Sequence, residues 1–222
     1  MKFLLNPPAS GCALVVRNRS QLGDLHPEEA FLLPENVAEK RKSEFALGRA
    51  AARQALAELG WSEPPPILRG AGREPLWPSG VVGSITHCGD WAIAAVAKCE
   101  DVKTLGIDLE DVNRVPHKEI ATLVSSESER RWIFGGDDGQ VRLAMLFSAK
   151  ESIYKAFFPL AHRFLDFHDV ELTWLPERDI FLGRLCTRLS SELCDGYSIE
   201  AGCQLQENFV FTHAFFASPE SS

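Results

Sequence analysis

Cysteine is sparse and scattered in this 222-residue chain: six residues, at positions 12, 88, 99, 186, 194 and 203, with no Cys-x-x-Cys pair among them. That spacing indicates neither a zinc site nor a disulfide framework, and reduced thiols are the simplest reading. Long apolar runs are missing as well, and none approaches the roughly 20 residues that a membrane-spanning helix requires. The opening Met1-Lys2-Phe3-Leu4-Leu5 meets Asn6-Pro7-Pro8 too soon to build a signal-peptide core, so a soluble, cytoplasmic protein is expected. Positive charge is in deficit, with 23 Lys and Arg against 31 Asp and Glu and a formal charge of −8. This balance argues against bulk nucleic-acid binding and against a basic membrane face, but it leaves room for a small anionic ligand at a local basic cluster.

What is present is an ordinary globular composition, 45% hydrophobic and 24% charged, long enough for one large domain or two small ones. Residues 12–17 read as a short strand. A strongly helical stretch from about Pro34 to Leu59 is charged at Lys40-Arg41-Lys42, alanine-rich afterwards, and closed by Gly60. Pro64 to Gly80 reads as loop. Strand-like runs follow at 81–85, 91–96 and 105–110. A Ser126-x-x-Glu129 capping box opens a helix at 125–134, Gly135 to Gly139 interrupts it, and a second long helix covers 145–157. Strand-like runs at 170–174, 180–185, 197–201 and 209–217 complete the chain. The order strand, helix, strands occurs twice, which predicts an α+β fold of two halves.

Two segments carry the chemistry. In Gly106-Ile107-Asp108-Leu109-Glu110, strand alternation puts Asp108 and Glu110 on one side while Ile107 and Leu109 face the core. In Phe147-Ser148-Ala149-Lys150-Glu151-Ser152-Ile153-Tyr154-Lys155, Glu151 and Lys155 sit one helical turn apart. Three carboxylates suit Mg²⁺, which is usually held by a few carboxylates together with substrate phosphate oxygens. The competing reading is a solvated strand end and an ordinary i,i+4 ion pair. Asp and Glu are poor strand formers, and adjacent like charges repel unless a cation stabilises them, so the strand pair resists it. Ser84-Ile85-Thr86-His87 ends a strand before Gly89 and offers hydroxyls, amides and an imidazole for a phosphate. A nucleophilic Ser84–His87 pair is the weaker alternative, because no Gly-x-Ser-x-Gly elbow is present. Arg41, Arg49, Arg53, Arg69 and Arg73 place positive charge in the first half, and guanidinium forks match phosphate oxygens. The five tryptophans are assigned to packing.

Taken in order, Lys40-Arg41, Glu44-Phe45, Gly48-Arg49-x-Ala51-Ala52-Arg53, Glu74-Pro75-x-Trp77-Pro78-x-Gly80, Gly83-Ser84-Ile85-Thr86-His87, Gly106-Ile107-Asp108-x-Glu110 and Phe147-Ser148-x-Lys150-Glu151-Ser152-x-x-Lys155 closely resemble the 4′-phosphopantetheinyl transferases. The resemblance is to the surfactin- and enterobactin-synthetase type and covers roughly residues 37–158. It implies a monomer with a pseudo-twofold arrangement of two similar α/β halves. Residues 1–104 would bind the phosphates and adenine of coenzyme A, and 105–222 would supply Mg²⁺ binding, catalysis and carrier-protein docking. The implied reaction moves the phosphopantetheine arm of coenzyme A onto a serine of an apo acyl, peptidyl or aryl carrier protein, releasing adenosine 3′,5′-bisphosphate.

Carried over by residue, the resemblance implies that Asp108, Glu110 and Glu151 hold Mg²⁺. Lys150 and Lys155 would neutralise phosphate charge, with Lys155 the better placed for the transferred group. Thr86 and His87 would bind the coenzyme's phosphates, with Arg41, Arg49 and Arg69 around its 3′-phosphate and adenine. Glu151 or Glu129 would act as the base for the incoming serine. The segment 158–169 would help receive the carrier. Two rival functions are a non-catalytic coenzyme A- or carrier-binding protein of the same fold and a Mg²⁺-dependent phosphohydrolase that uses water instead of serine.

Overall fold

The computed structural model describes residues 3–115, 120–163 and 165–218. Met1 and Lys2 of the opening segment and Phe164 of the 158–169 segment lie outside the described residues. The elements are β1 (Ala13–Asn18), a 3-10 turn (Arg19–Gln21), α1 (Pro27–Ala30), α2 (Glu39–Glu58), β2 (Leu68–Arg69), β3 (Pro75–Leu76), β4 (Val81–Cys88), β5 (Trp91–Lys98), β6 (Val102–Asp111), α3 (Ala121–Val124), α4 (Glu127–Phe134), α5 (Gly139–Ala161), β7 (Val170–Leu175), β8 (Ile180–Leu185), β9 (Ser198–Gln206) and β10 (Phe209–Ala217). The mixed α+β composition matches the class read from the sequence. Among the described residues, no helix is long and apolar enough to cross a membrane.

Two compact units divide the chain: residues 1–105 with 216–222, and residues 106–215. In the first, an antiparallel sheet runs in the order β1-β5-β4. Its central strand, Trp91-Ala92-Ile93-Ala94-Ala95-Val96-Ala97-Lys98, is buried from Ala92 to Ala97, which is why it reads as a continuous apolar run rather than an alternating one. The alanine face of α2 lies against this sheet. Ala51, Ala52, Ala55 and Leu56 pack with Val15, Ile67, Val81, Ala94 and Val96, and small side chains let the helix approach closely. The helix starts at Glu39, later than the expected Pro34, because Pro34 to Val37 forms a turn closed by Val37 N–H donating to the Pro34 carbonyl at 3.1 Å. The proline-rich stretch is not loop throughout: Leu68-Arg69 pairs with Pro75-Leu76 in a two-stranded ribbon.

The second unit holds a five-stranded sheet in the order β6-β10-β9-β8-β7. Helix α5 buries Leu143, Leu146, Ala149, Ile153, Ala156 and Phe157. It starts six residues earlier than the 145 expected, because Gly139 sits at the first helical position, where glycine is tolerated better than in the interior. It ends at His162, which adopts the left-handed conformation at φ 49°.

The seat of α5 is fixed by Gly106. A Cβ on that residue would lie 2.0 Å from the Ser152 carbonyl oxygen and 2.6 Å from the Ala156 nitrogen. No other residue fits between this strand and this helix.

Candidate functional site

In the second unit the strand and the helix that meet at Gly106 carry the carboxylates. Asp108 follows Gly106 by two positions and is buried, with 4% of its surface exposed. Its Oδ1 accepts from Lys155 Nζ at 2.7 Å, and the same ammonium donates to the Ile107 carbonyl at 3.0 Å. Lys155 is one turn beyond Glu151 on α5, so it reaches back to β6 while Glu151 stands beside it. Glu110 is partly buried on the face it shares with Asp108.

Burial is the largest influence on the carboxylates of this group, and their mutual repulsion adds to it. Burial, together with repulsion from Asp108, Glu151 and Asp111, pushes the Glu110 carboxyl up to about 8, against the pull of Lys155. Burial also raises Glu151, with Asp108 adding to the shift and Lys155 opposing it. Lys155 is the cation that opposes the rise of both carboxyls. This donor set fits a hard divalent cation. Among the described residues no group of three or more His, Cys, Asp or Glu side chains is arranged to hold a metal ion, and Mg²⁺ characteristically takes one or two carboxylates and completes its shell with water and phosphate oxygens.

Lys150 and Glu129 occupy a different kind of place from the one expected. Lys150 is 1% exposed, and its Nζ donates to Glu129 Oε2 at 2.9 Å and to the Phe167 carbonyl at 2.7 Å. Glu129, also 1% exposed, accepts from Ser126 N–H at 2.6 Å and from Leu172 N–H at 2.8 Å. The capping box read from Ser126-x-x-Glu129 is therefore present, and its glutamate is fully engaged with backbone and lysine. Burial lowers the Lys150 pKa while the pairing with Glu129 opposes that shift.

In the first unit, Arg49 is 6% exposed, with its guanidinium 4.6 Å from the centre of the Phe45 ring and one nitrogen 3.4 Å from the Leu68 carbonyl. Its Nε is buried with no hydrogen-bond partner among the described residues. Burial and the neighbouring Arg69 and Arg53 lower its pKa to about 10, with Glu29 opposing. Arg69 donates to the Leu32 carbonyl at 2.8 Å.

Sequence reasoning missed Glu29, the buried anion behind this cluster. It accepts from Arg53, from Ile67 N–H at 3.0 Å and from His26 N–H at 3.1 Å. The signal was there in the capping pattern His26-Pro27-x-Glu29. Arg41 Nη1 lies 3.1 Å from His87 Nε2, so these two expected ligands are brought together. Thr86 is buried and His87 exposed on β4, because successive strand residues face opposite ways.

The comparisons with known proteins bear on both units. The 4′-phosphopantetheinyl transferase N-terminal domain profile matches residues 27–97, and that of the 4′-phosphopantetheinyl transferase superfamily matches 104–210. The 4′-phosphopantetheinyl transferase Svp of Streptomyces mobaraensis is 44% identical over 164 residues, which is 72% of this chain and 65% of that protein. The 4′-phosphopantetheinyl transferase PptT of Mycobacterium tuberculosis is 38% identical over 179 residues, covering 78% of this chain and 74% of the relative. Enterobactin synthase component D of Escherichia coli (strain K12) is 37% identical over 124 residues, 55% of this chain and 57% of its own.

Proposed function

Because this chain belongs to the 4′-phosphopantetheinyl transferase superfamily, we propose that it transfers the 4′-phosphopantetheine arm of coenzyme A to a serine of an apo carrier protein. In this reading the serine oxygen forms a bond to the arm's phosphorus, the pyrophosphate link breaks, and adenosine 3′,5′-bisphosphate leaves. The substrates are carrier proteins of peptide, polyketide or fatty-acid synthesis, siderophore assembly included, and the enzyme acts as a cytoplasmic monomer.

The observation that carries the proposal is the Asp108–Lys155 bridge beside Glu110 and Glu151. Asp108, Glu110 and Glu151 would hold Mg²⁺, which when bound supplies charge neutralisation across the pyrophosphate. Lys155, with 30% of its side chain exposed, is accessible to a phosphoryl oxygen, and its charge stabilises the transferring group. Glu151 is assigned as the base for the serine hydroxyl. It stands on α5 one turn before Lys155, and would take the proton directly or through a water. Glu129 is withdrawn from that role, since both its oxygens are engaged in the protein interior.

Arg49 and Arg69, with Arg41 and His87, are assigned to the coenzyme's phosphates and adenine, and Thr86 to the same end of the molecule. A guanidinium already stripped of water, as in Arg49, attracts an anion more strongly than a surface one.

The test is intact-mass spectrometry of an apo carrier protein incubated with this chain, coenzyme A and Mg²⁺. A gain of about 340 Da, one arm, that is lost with EDTA is the expected result. Coenzyme A binding without any gain, across acyl, peptidyl and aryl carriers, would instead favour the non-catalytic reading. Bisphosphate release with no carrier present would favour the hydrolase.

A further inference from the structure

Lys150 and Lys155 lie on the same helix, and the resemblance would give both to phosphate. Their surroundings separate them. The Lys155 side chain is 30% exposed and that of Lys150 is 1% exposed. Two of the three donors on Lys150 are committed, at 2.9 Å to Glu129 and at 2.7 Å to the Phe167 carbonyl. Glu129 in turn accepts from the backbone N–H of Ser126, at the start of α4, and of Leu172, in β7. A buried carboxylate so placed requires a buried cation, because a lone charge in the interior is strongly unfavourable.

We infer that Lys150 is a positioning residue rather than a phosphate ligand: with Glu129 it forms a buried clamp that fixes the turn around Phe167 against α5, alongside Glu151.

The turn is built for this. Asp166 N–H donates to the Asp169 carboxylate at 2.9 Å, His168 N–H donates to the Asp166 carboxylate at 3.0 Å, and Cys186 N–H donates to the Asp169 carbonyl at 2.7 Å. What the clamp delivers is the Phe167 ring. It stacks on Phe147 with centroids 5.7 Å apart and lies 5.3 Å from the ring of Tyr154. Tyr154 follows Glu151 by three positions and immediately precedes Lys155, so the clamp sets an aromatic wall next to the carboxylate and the lysine assigned to catalysis. The hydrogen bond from Lys150 to the Phe167 carbonyl ties that wall to α5, and burial of the Lys150 side chain, 1% exposed, keeps its remaining donor away from a phosphate in solution.

The role assigned to the wall rests on the transferase reading, but the decisive measurement does not. Amine acylation with acetic anhydride, read by mass spectrometry, is performed on the wild-type chain with and without coenzyme A, using exposed Lys98 as the internal standard. Lys150 is expected to stay unmodified in the folded protein under both conditions and to react only after unfolding. Reaction of Lys150 in the folded, coenzyme-free protein would overturn the clamp. Lys155 is expected to react and to be protected by coenzyme A. Its failure to be protected, with Lys150 still silent, would count against the transferase reading and leave the clamp standing.

Kinetics supply the second arm. In the near-isosteric pair Glu129→Gln with Lys150→Met, the KM for coenzyme A is expected within about twofold of wild type, with kcat reduced less than in Lys150→Met alone. A KM raised equally in Lys150→Met and in the double variant, with Glu129→Gln normal, would make Lys150 a ligand and sink the proposal.

Discussion

The carbonyl oxygen of Ser152 lies 2.0 Å from the point where a side chain on Gly106 would begin. Strand β6 and helix α5 touch backbone to backbone there, and the residues two and four positions along the strand and one before or three after Ser152 on the helix are Asp108, Glu110, Glu151 and Lys155. The glycine therefore sets the spacing of the charged group without taking part in its chemistry. Gly106→Ala is expected to destabilise the protein by about 1–3 kcal/mol and lower its melting temperature by several degrees, because neither backbone can yield locally. Gly48→Ala is the control. Its Cβ would meet only a side-chain methyl of Ile85, at 3.0 Å, so differential scanning calorimetry should show a smaller change.

Asp108→Ala and Glu151→Ala are each expected to reduce transfer by about a hundredfold or more, since the charge that aligns the pyrophosphate is lost. Both should keep a native circular-dichroism spectrum. Isothermal titration with Mg²⁺ in the presence of coenzyme A should show the lost binding directly. Near-normal turnover in either variant would remove that residue from the metal set.

The raised carboxyls give a pH dependence with a definite sign. Glu110 ionises near 8 in the folded chain, well above the ordinary carboxylate value of 4.5. Between those two values the folded state binds more protons than the unfolded state, so stability falls as pH rises through the window. Without divalent cation, the melting temperature should decline from about pH 5 to pH 8, and Glu110→Gln should flatten the decline. Added Mg²⁺ should restore stability most at the alkaline end, where the carboxylates are charged and repel. A slope unchanged by Glu110→Gln would assign the titration to another group.

Arg49→Ala is expected to raise the KM for coenzyme A by about tenfold or more while kcat falls less, the pattern of a ground-state binding contact. The guanidinium also lies 4.6 Å from the Phe45 ring and contacts the Leu68 carbonyl, so Arg49→Lys should recover charge but not the planar fit, and only part of the affinity. Steady-state kinetics at varied coenzyme A separates these outcomes. A fall in kcat alone would move Arg49 out of the binding role.

Local patterns were the most legible. Alternation along Gly106 to Glu110 marked Asp108 and Glu110 as a pair, and Ser126-x-x-Glu129 marked a helix start, because both are rules of backbone geometry over four or five residues. The same tetrad gave no sign of what else its glutamate would hold. Glu129 caps its helix and also receives Lys150 and Leu172, and a bond to a residue 43 positions away leaves no trace in local spacing. Adjacent Thr86 and His87 likewise looked equivalent as ligands until the strand turned one inward and the other out. Glycine was read as an interruption at residues 135–139, yet Gly139 begins α5. Position within the helix, rather than residue type alone, decided that boundary. In the sequence Gly106 opens a motif with no visible purpose of its own, since only the depth of α5 against β6 reveals what a methyl group would strike.

Ser218, beyond the end of β10, donates through its hydroxyl to the Cys99 carbonyl at 2.6 Å and through its N–H to the Asp101 carbonyl at 3.2 Å. These contacts belong to the first unit, which the chain leaves at residue 105 and rejoins at 216. During synthesis, therefore, the β5–β6 turn emerges with these partners unmade and waits for more than a hundred residues of translation, the whole second unit included, before they arrive. Long-range closure of this kind is slow. Completion of the first unit is thereby timed by synthesis of the second, so an unfinished chain lacks these closing contacts however well its own sheet has formed.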